Sequence, residues 1–251
     1  MGDSTEKPLV VLVHGAFAEA ASWNGVIAEL HTRGIDAIAV ANPLRSLSGD
    51  AAYVRDVVTS AGRPVVLVGH SYGGLVISQA AAGLDAVVGL VYANAFVPEH
   101  GQNAFDLSTE FPGSTLPDAL EPRELSDGTV ELSITLAKFH AQFAADVPAE
   151  GAALMARTQR PVTQAALTEP VTAPVPAWKT IPSWCVFGDA DLNIPVEEHR
   201  AGAERAAARG IREIAGASHA ISVSQPAAVA AVIAEAFAAV YGAAGEPAAL
   251  R

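Results

Sequence analysis

With 251 residues, 51% of them apolar and 17% charged, the chain has the size and filling of one domain, or of one domain carrying an insertion. A net charge of −12 argues against nucleic acid and anionic membrane surfaces as partners, since both call for clustered Lys and Arg. One cysteine, Cys185, excludes an intrachain disulfide, and without paired Cys or HExxH-type spacing no metal is expected.

The polar lead Met1 to Pro8 is followed by an apolar stretch too short for a signal segment, and nothing approaches a membrane span, so a cytoplasmic protein is expected. Leu9 to Val13 reads as the first strand. Its exit, His14-Gly15-Ala16-Phe17, is a glycine-containing turn whose Ala16 N–H can face a developing negative oxygen. His14 is expected to bond locally. Trp23, Val26, Ile27 and Leu30 then share a helix face that stops at Gly34. A strand over Ile35 to Ala41 and a helix carrying Tyr53, Val54, Val57 and Val58 come next.

The strand Val65 to Val68 runs straight into Gly69-His70-Ser71-Tyr72-Gly73, with a helix stripe of Leu75, Val76, Gln79 and Ala80 behind it. A strand breaking sharply into a helix with serine at the break is the nucleophile elbow of a serine hydrolase. The sharp turn exposes Ser71, flanking glycines relieve crowding, and the Tyr72 N–H opens the helix as an oxyanion donor. The His70 side chain should point away from the hydroxyl.

After a fourth strand, Val87 to Tyr92, the alternation fails. Residues 98–182 hold 10 of the 16 prolines and a helix pattern of Leu132, Leu136, Phe139 and Phe143. An insertion of this length near the carboxyl ends of sheet strands reads as a cap over a site. Regularity returns with the strands Ser183 to Phe187 and Ile211 to Ile214 and a closing helix from about Pro226, with Val229, Val232, Ile233, Phe237 and Val240 facing in. The continuous apolar runs fit a mostly parallel sheet covered on both faces. Cys185 lies in such a run and reads as buried. The tail, Gly242 to Arg251, reads as frayed.

A serine nucleophile needs a base, and the base an orienting acid. His219, in the turn between the last strand and last helix, lies at the same sheet edge as Ser71. His31, His100, His140 and His199 fall in helix-like or cap segments without an edge position. In Gly188-Asp189-Ala190-Asp191 the chain leaves its strand before presenting Asp191, which makes Asp191 the first choice of acid, Asp189 the second and Glu99 the third. The order Ser71, Asp191, His219 is the one expected of a strand–helix alternating hydrolase.

Together, His14-Gly15-Ala16 with Trp23, Gly69-His70-Ser71-Tyr72-Gly73-Gly74, Gly188-Asp189-Ala190-Asp191 and Ser218-His219 resemble the α/β-hydrolase superfamily. Within it they resemble the small esterases that include plant methylesterases, hydroxynitrile lyases and bacterial pyrethroid-type carboxylesterases. The resemblance spans nearly the whole chain, strongest over 9–97 and 183–240. It implies an α/β-hydrolase fold without cofactor, starting at the family's third strand and so reduced to about six strands. Related dehalogenases and epoxide hydrolases use an aspartate nucleophile where this chain has Ser71. The lyases carry a lysine and a threonine where this chain has Ala220 and Gly15, which favours hydrolysis.

The resulting expectation is a core of 1–97 and 183–251, a helical cap of 98–182, and hydrolysis of a small to medium, largely apolar ester or lactone through an acyl-enzyme. Ser71, His219 and Asp191 act on it, with Ala16 and Tyr72 as oxyanion donors. Phe17, Phe139 and Phe143 are the expected substrate contacts, and Phe105, Phe111, Met155 and Trp178 complete the apolar wall. Other acyl chemistry on the same residues, or a ligand receptor on the same fold, are the rival readings. The expected partner is a small-molecule ester, and a homodimer stays open.

Overall fold

The computed structural model describes residues 6–245, so the lead through Thr5 and positions 246–251 of the tail lie outside the described residues. The core alternates strand and helix: β1 (Leu9–Val13), α1 (Asn24–Thr32), β2 (Ala37–Val40), α2 (Leu47–Ser60), β3 (Val65–Ser71), α3 (Gly73–Ala80) and β4 (Val87–Ala95). An insertion follows, with α4 (Ala104–Glu110), β5 (Leu120–Glu124), β6 (Val130–Ile134), α5 (Leu136–Phe143), α6 (Ala149–Thr158), β7 (Val162–Thr163) and α7 (Gln164–Thr168). The core resumes with β8 (Ser183–Gly188), α8 (Val196–Arg205), β9 (Gly210–Ile214), α9 (Ile221–Ser224) and α10 (Pro226–Gly245).

The six core strands pair in parallel in the order β2-β1-β3-β4-β8-β9. Every residue of β1 and β3 is buried, because helices cover both sheet faces and an unbroken apolar run is what such a strand requires. Alternate side chains serve two separate cores. Val10 and Leu12 pack with Trp23, Leu30, Val229 and Ile233 on the α1/α10 face. Val11 and Val13 pack with Val54, Leu75 and Val76 on the α2/α3 face, which continues into the insertion. Each such Val or Leu contributes roughly 1.5–3 kcal/mol on burial.

Between β1 and β3 the connection leaves the middle of the sheet for its edge and returns, with Val13 beside Gly69 in the register. This is the switch point of the sheet, and the crevice beyond its carboxyl ends is where open α/β sheets bind ligands.

The insertion carries the helices expected of the cap and, in addition, a small sheet. β5, β6 and β7 form an antiparallel three-stranded sheet, and Leu132 belongs to β6 rather than to the helix that starts at Leu136. The physical reason is local. Asp127-Gly128, with Gly128 at φ +82°, turns the chain back, and Val130, Leu132 and Ile134 then alternate with period two. The insertion is fastened to the core at the loop before α2. Thr163 N–H donates to the Leu44 carbonyl at 3.0 Å, and Arg45 reaches Glu131 at 2.6 Å and the Pro161 carbonyl at 2.7 Å. Among the described residues, no helix is long and apolar enough to cross a membrane.

Candidate active site

Ser71 ends β3 with φ 55°, a left-handed conformation that costs a non-glycine residue about 1–3 kcal/mol. The strain holds because packing around the turn allows nothing else. A Cβ on Gly69 would lie 2.5 Å from the Gly73 carbonyl oxygen, so strand and helix can approach this closely only without a side chain there. Gly15 meets the elbow from the neighbouring strand end. Its Cβ would lie 2.6 Å from Ser71 Cβ and 2.7 Å from the His70 carbonyl oxygen. The bare backbone of the 14–17 turn therefore lies directly against the serine.

His219 comes from the loop between β9 and α9 and is fully buried. Its Nδ1–H donates to Asp191 Oδ2 at 2.7 Å, since a carboxylate can only accept. Its Nε2 has no hydrogen-bond partner among the described residues and, in this tautomer, carries a free lone pair. Asp191 Oδ1 accepts the backbone N–H of Asn193 at 2.8 Å and of Ile194 at 3.0 Å. Burial works to raise the Asp191 pKa, but the charge and hydrogen bond of His219 and the hydrogen bond from His199 outweigh it. The carboxyl is held well below the usual range and stays ionised. Asp189 instead accepts the Gly216 N–H at 2.6 Å and braces the turn, and Glu99 pairs with Lys179 at 2.6 Å. Of the three acids considered, Asp191 is the one that meets His219.

The other histidines near the elbow have structural partners. His14 Nδ1–H donates to the Gly15 carbonyl at 2.9 Å, the local bond expected. His70 Nε2–H donates to the His219 carbonyl at 2.9 Å, so its ring points behind the His219 loop. Burial first, and the neighbouring His219 second, push the His70 pKa down to about 3, which keeps it neutral. Cys185 is buried, and burial pushes its thiol up to about 12, so it stays an unreactive core residue.

A cavity of about 300 Å³ opens above Ser71, between the core and the insertion. Ala16, Phe17, Ser71 and Tyr72 line its core side, and Phe105, Leu116, Leu120 and Leu132 its insertion side. Phe139 and Phe143, expected as substrate contacts, are not among its lining residues. Both are buried and pack on each other with centroids 5.0 Å apart. The helix α5 that carries them turns this face onto the His219 loop, where the Phe143 ring meets His219 edge-on at 4.9 Å and its carbonyl accepts the Ala220 N–H at 2.9 Å. Phe111 also lies off the cavity, Trp178 is tied to the Pro98 carbonyl at 2.7 Å, and Met155 borders a separate, smaller cavity of about 150 Å³.

Several supporting residues escape sequence reasoning. Asn94, at φ 42° near the end of β4, donates to the carbonyls of Ser218 at 2.8 Å and His219 at 3.1 Å and accepts the Gly188 N–H at 2.8 Å. Its signal was an amide inside the apolar run Val91-Tyr92-Ala93-Asn94-Ala95, since a polar side chain buried there must find partners. Tyr72 O–H donates to the buried Asp50 at 2.9 Å, which anchors the residue after the serine. His199, eight residues after Asp191, donates Nε2–H to Asp191 Oδ2 at 3.1 Å and stacks on Phe187 at 5.2 Å.

The comparisons with known proteins agree with this architecture. A profile of the alpha/beta hydrolase family matches residues 10–232. Esterase PIR7B of Oryza sativa subsp. japonica is 29% identical over 254 residues, covering 89% of this chain and 93% of that protein. The alpha/beta hydrolase nvfD of Aspergillus novofumigatus is 33% identical over 116 residues, 39% of this chain; the match spans about half, 46%, of the fungal protein. The crystal structure of polyneuridine aldehyde esterase superposes with a TM-score of 0.78 at 19% identity, over 92% of this chain and 99% of that one, which shows a shared fold. A six-stranded parallel sheet, a serine at its strained central turn and a family match running from β1 into α10 carry one conclusion: the chain belongs to the alpha/beta hydrolase family.

Proposed function

We propose that the chain is a serine carboxylester hydrolase for small to medium, largely apolar esters or lactones. The observation that carries this reading is the 2.7 Å bond from His219 Nδ1–H to Asp191, which leaves Nε2 free as a base in a site whose serine lines the cavity. Ser71 Oγ attacks the ester carbonyl carbon and passes its proton to His219 Nε2. Asp191 keeps the imidazole in the Nδ1–H tautomer and offsets the positive charge that forms on it. The Ala16 and Tyr72 N–H groups receive the oxyanion, each contributing about 3 kcal/mol to the transition state. His219 then gives the proton to the leaving alcohol, and water activated by the same nitrogen releases the acid from Ser71.

The cavity supports this substrate class. Among the described residues, no Lys, Arg, His, Asp or Glu lines it, so a charged acyl group would be desolvated there without a partner. Its volume of about 300 Å³ is at the small end for ligand sites. Esterase names among the relatives support the same reaction type. The test is release of p-nitrophenol from acetyl, butyryl and octanoyl esters by the wild type and by Ser71→Ala. Turnover should vanish in the variant and, in the wild type, should fall once the acyl chain outgrows the cavity. Equal turnover by the two proteins would refute the reading.

A further inference from the structure

Asp191 Oδ2 carries two imidazole donors rather than one. His219 Nδ1–H reaches it from the loop after β9 at 2.7 Å, and His199 Nε2–H reaches it from α8 at 3.1 Å. Both rings are buried, and the carboxylate fixes both tautomers, because it can only accept. The other oxygen, Oδ1, is held by two backbone N–H groups from the turn that follows Asp191. Those two bonds share one short loop with Asp191 and move with it. Besides His219 itself, among the described residues only His199 ties the carboxylate to a different element, a helix started at Pro195 and packed through the Phe187 stack onto β8.

We propose that His199 is a positioning residue for hydrolysis: by sharing Oδ2 with His219 it holds that oxygen in place as His219 gains and loses its proton. The proposal rests on the reading of Ser71, His219 and Asp191 given above. Without the second donor, Oδ2 follows the His219 ring as it moves, and the alignment of Nε2 with Ser71 becomes less exact. The charge of Oδ2 is also shared between two N–H groups. Removing one leaves that charge to the single bond with His219. The charged and titratable groups around the pair include Asp191, His70 behind His219, Asp146, which accepts from the Ser218 hydroxyl next to His219, the buried Glu198 next to His199 in α8, and Glu213 on β9, which Arg200 of α8 neutralises at 2.6 Å.

A buried histidine stacked on phenylalanine could equally serve stability alone, and two variants separate the roles. His199→Phe keeps a ring against Phe187 and removes the donor. His199→Gln keeps an N–H of similar reach. With p-nitrophenyl butyrate, kcat of His199→Phe should fall about tenfold or more, the scale of lost supporting shells, with KM little changed. The acid limb of its kcat/KM profile should move to higher pH. His199→Gln should restore both rate and limb. In the wild type, proton NMR should show two strongly deshielded imidazole N–H signals, of which His199→Gln removes one.

A folded His199→Phe with wild-type kcat and an unmoved acid limb overturns the proposal, as does a loss of thermal stability alone. Should that variant fail to fold, a single deshielded signal in the wild type, or a His199→Gln as impaired as a lost donor predicts, overturns it as well. Ser71→Ala measured alongside distinguishes the failures. Turnover surviving there removes the reading of the site and this proposal together. Turnover lost there but unchanged in His199→Phe removes this proposal alone.

Discussion

The side-chain amide of Asn94 donates to the backbone carbonyl of Ser218 at 2.8 Å, binding the loop that carries His219 to the middle of the sheet. The same amide reaches the His219 carbonyl, and its oxygen receives the Gly188 N–H at the start of the loop that carries Asp191. One buried residue therefore sets the distance between the proposed base and the proposed acid. Asn94→Ala would leave three buried backbone groups without that partner. It should cost about 2–5 kcal/mol of stability, by the usual penalty for unpaired buried groups. Urea unfolding checks the stability, and kcat should fall with it because the His219 loop is released.

Asp191→Asn keeps the size of the side chain and removes its charge. The new amide offers a donor to one of two imidazole N–H groups that need an acceptor, so His219 is driven toward the wrong tautomer. Turnover of p-nitrophenyl esters should fall by about four orders of magnitude, as for a triad acid turned to amide elsewhere, with KM little changed. A drop of less than tenfold would mean that Asp191 does not orient the base.

Gly15→Ala tests the close approach of the two strand-end turns. Its methyl would sit 2.6 Å from Ser71 Cβ and 2.7 Å from backbone oxygen, so one of the two turns must shift. Displacing the serine or the Ala16 N–H by about 1 Å should lower kcat on the order of a hundredfold. Circular dichroism should show the fold retained, since the strain is local.

The core was readable because its signals are local. Unbroken runs such as Leu9–Val13 and Val65–Val68 have no stable place but a doubly covered strand, and Gly-x-Ser-x-Gly after such a run is a short, rigid event. The insertion was harder. Leu132, Leu136, Phe139 and Phe143 satisfy a helical spacing, and only the Asp127-Gly128 turn reveals that Leu132 is strand. In sequence, Phe139 and Phe143 fit a pocket wall as well as a cap core, because aromatics in a cap suit either role. Which way a helix turns its apolar face depends on packing with a loop more than 70 residues away. Asn94 acts across the fold in the same way, and short-range spacing carries no mark of such contacts.

Glu198 offers a prediction about pH and stability. It lies buried in α8 with both carboxyl oxygens unbonded among the described residues, and Arg205 is 3.9 Å away. Burial pushes its pKa up to about 7, against partial relief from Arg205 and further strain from Glu110. Below its ordinary range, folded and unfolded chains both hold the proton and the group has no effect. Between the ordinary carboxylate range and about pH 7 the unfolded chain releases it first, so this group makes the fold progressively less stable as pH rises. The Tm of Glu198→Gln relative to wild type should therefore climb from pH 5 to pH 8. A difference that stays constant over that interval would contradict the assignment.

The central claim is that His219 and Asp191 make Ser71 a nucleophile, and stoichiometric labelling tests it most directly. The wild type, Ser71→Ala and His219→Ala would each be treated with a serine-directed fluorophosphonate, and the adduct counted and mapped by peptide mass spectrometry. The account predicts one adduct per wild-type chain, on the peptide containing Ser71, with none in Ser71→Ala and a labelling rate lowered by orders of magnitude in His219→Ala. An adduct on another residue, or Ser71 labelled as fast without His219 as with it, would contradict it.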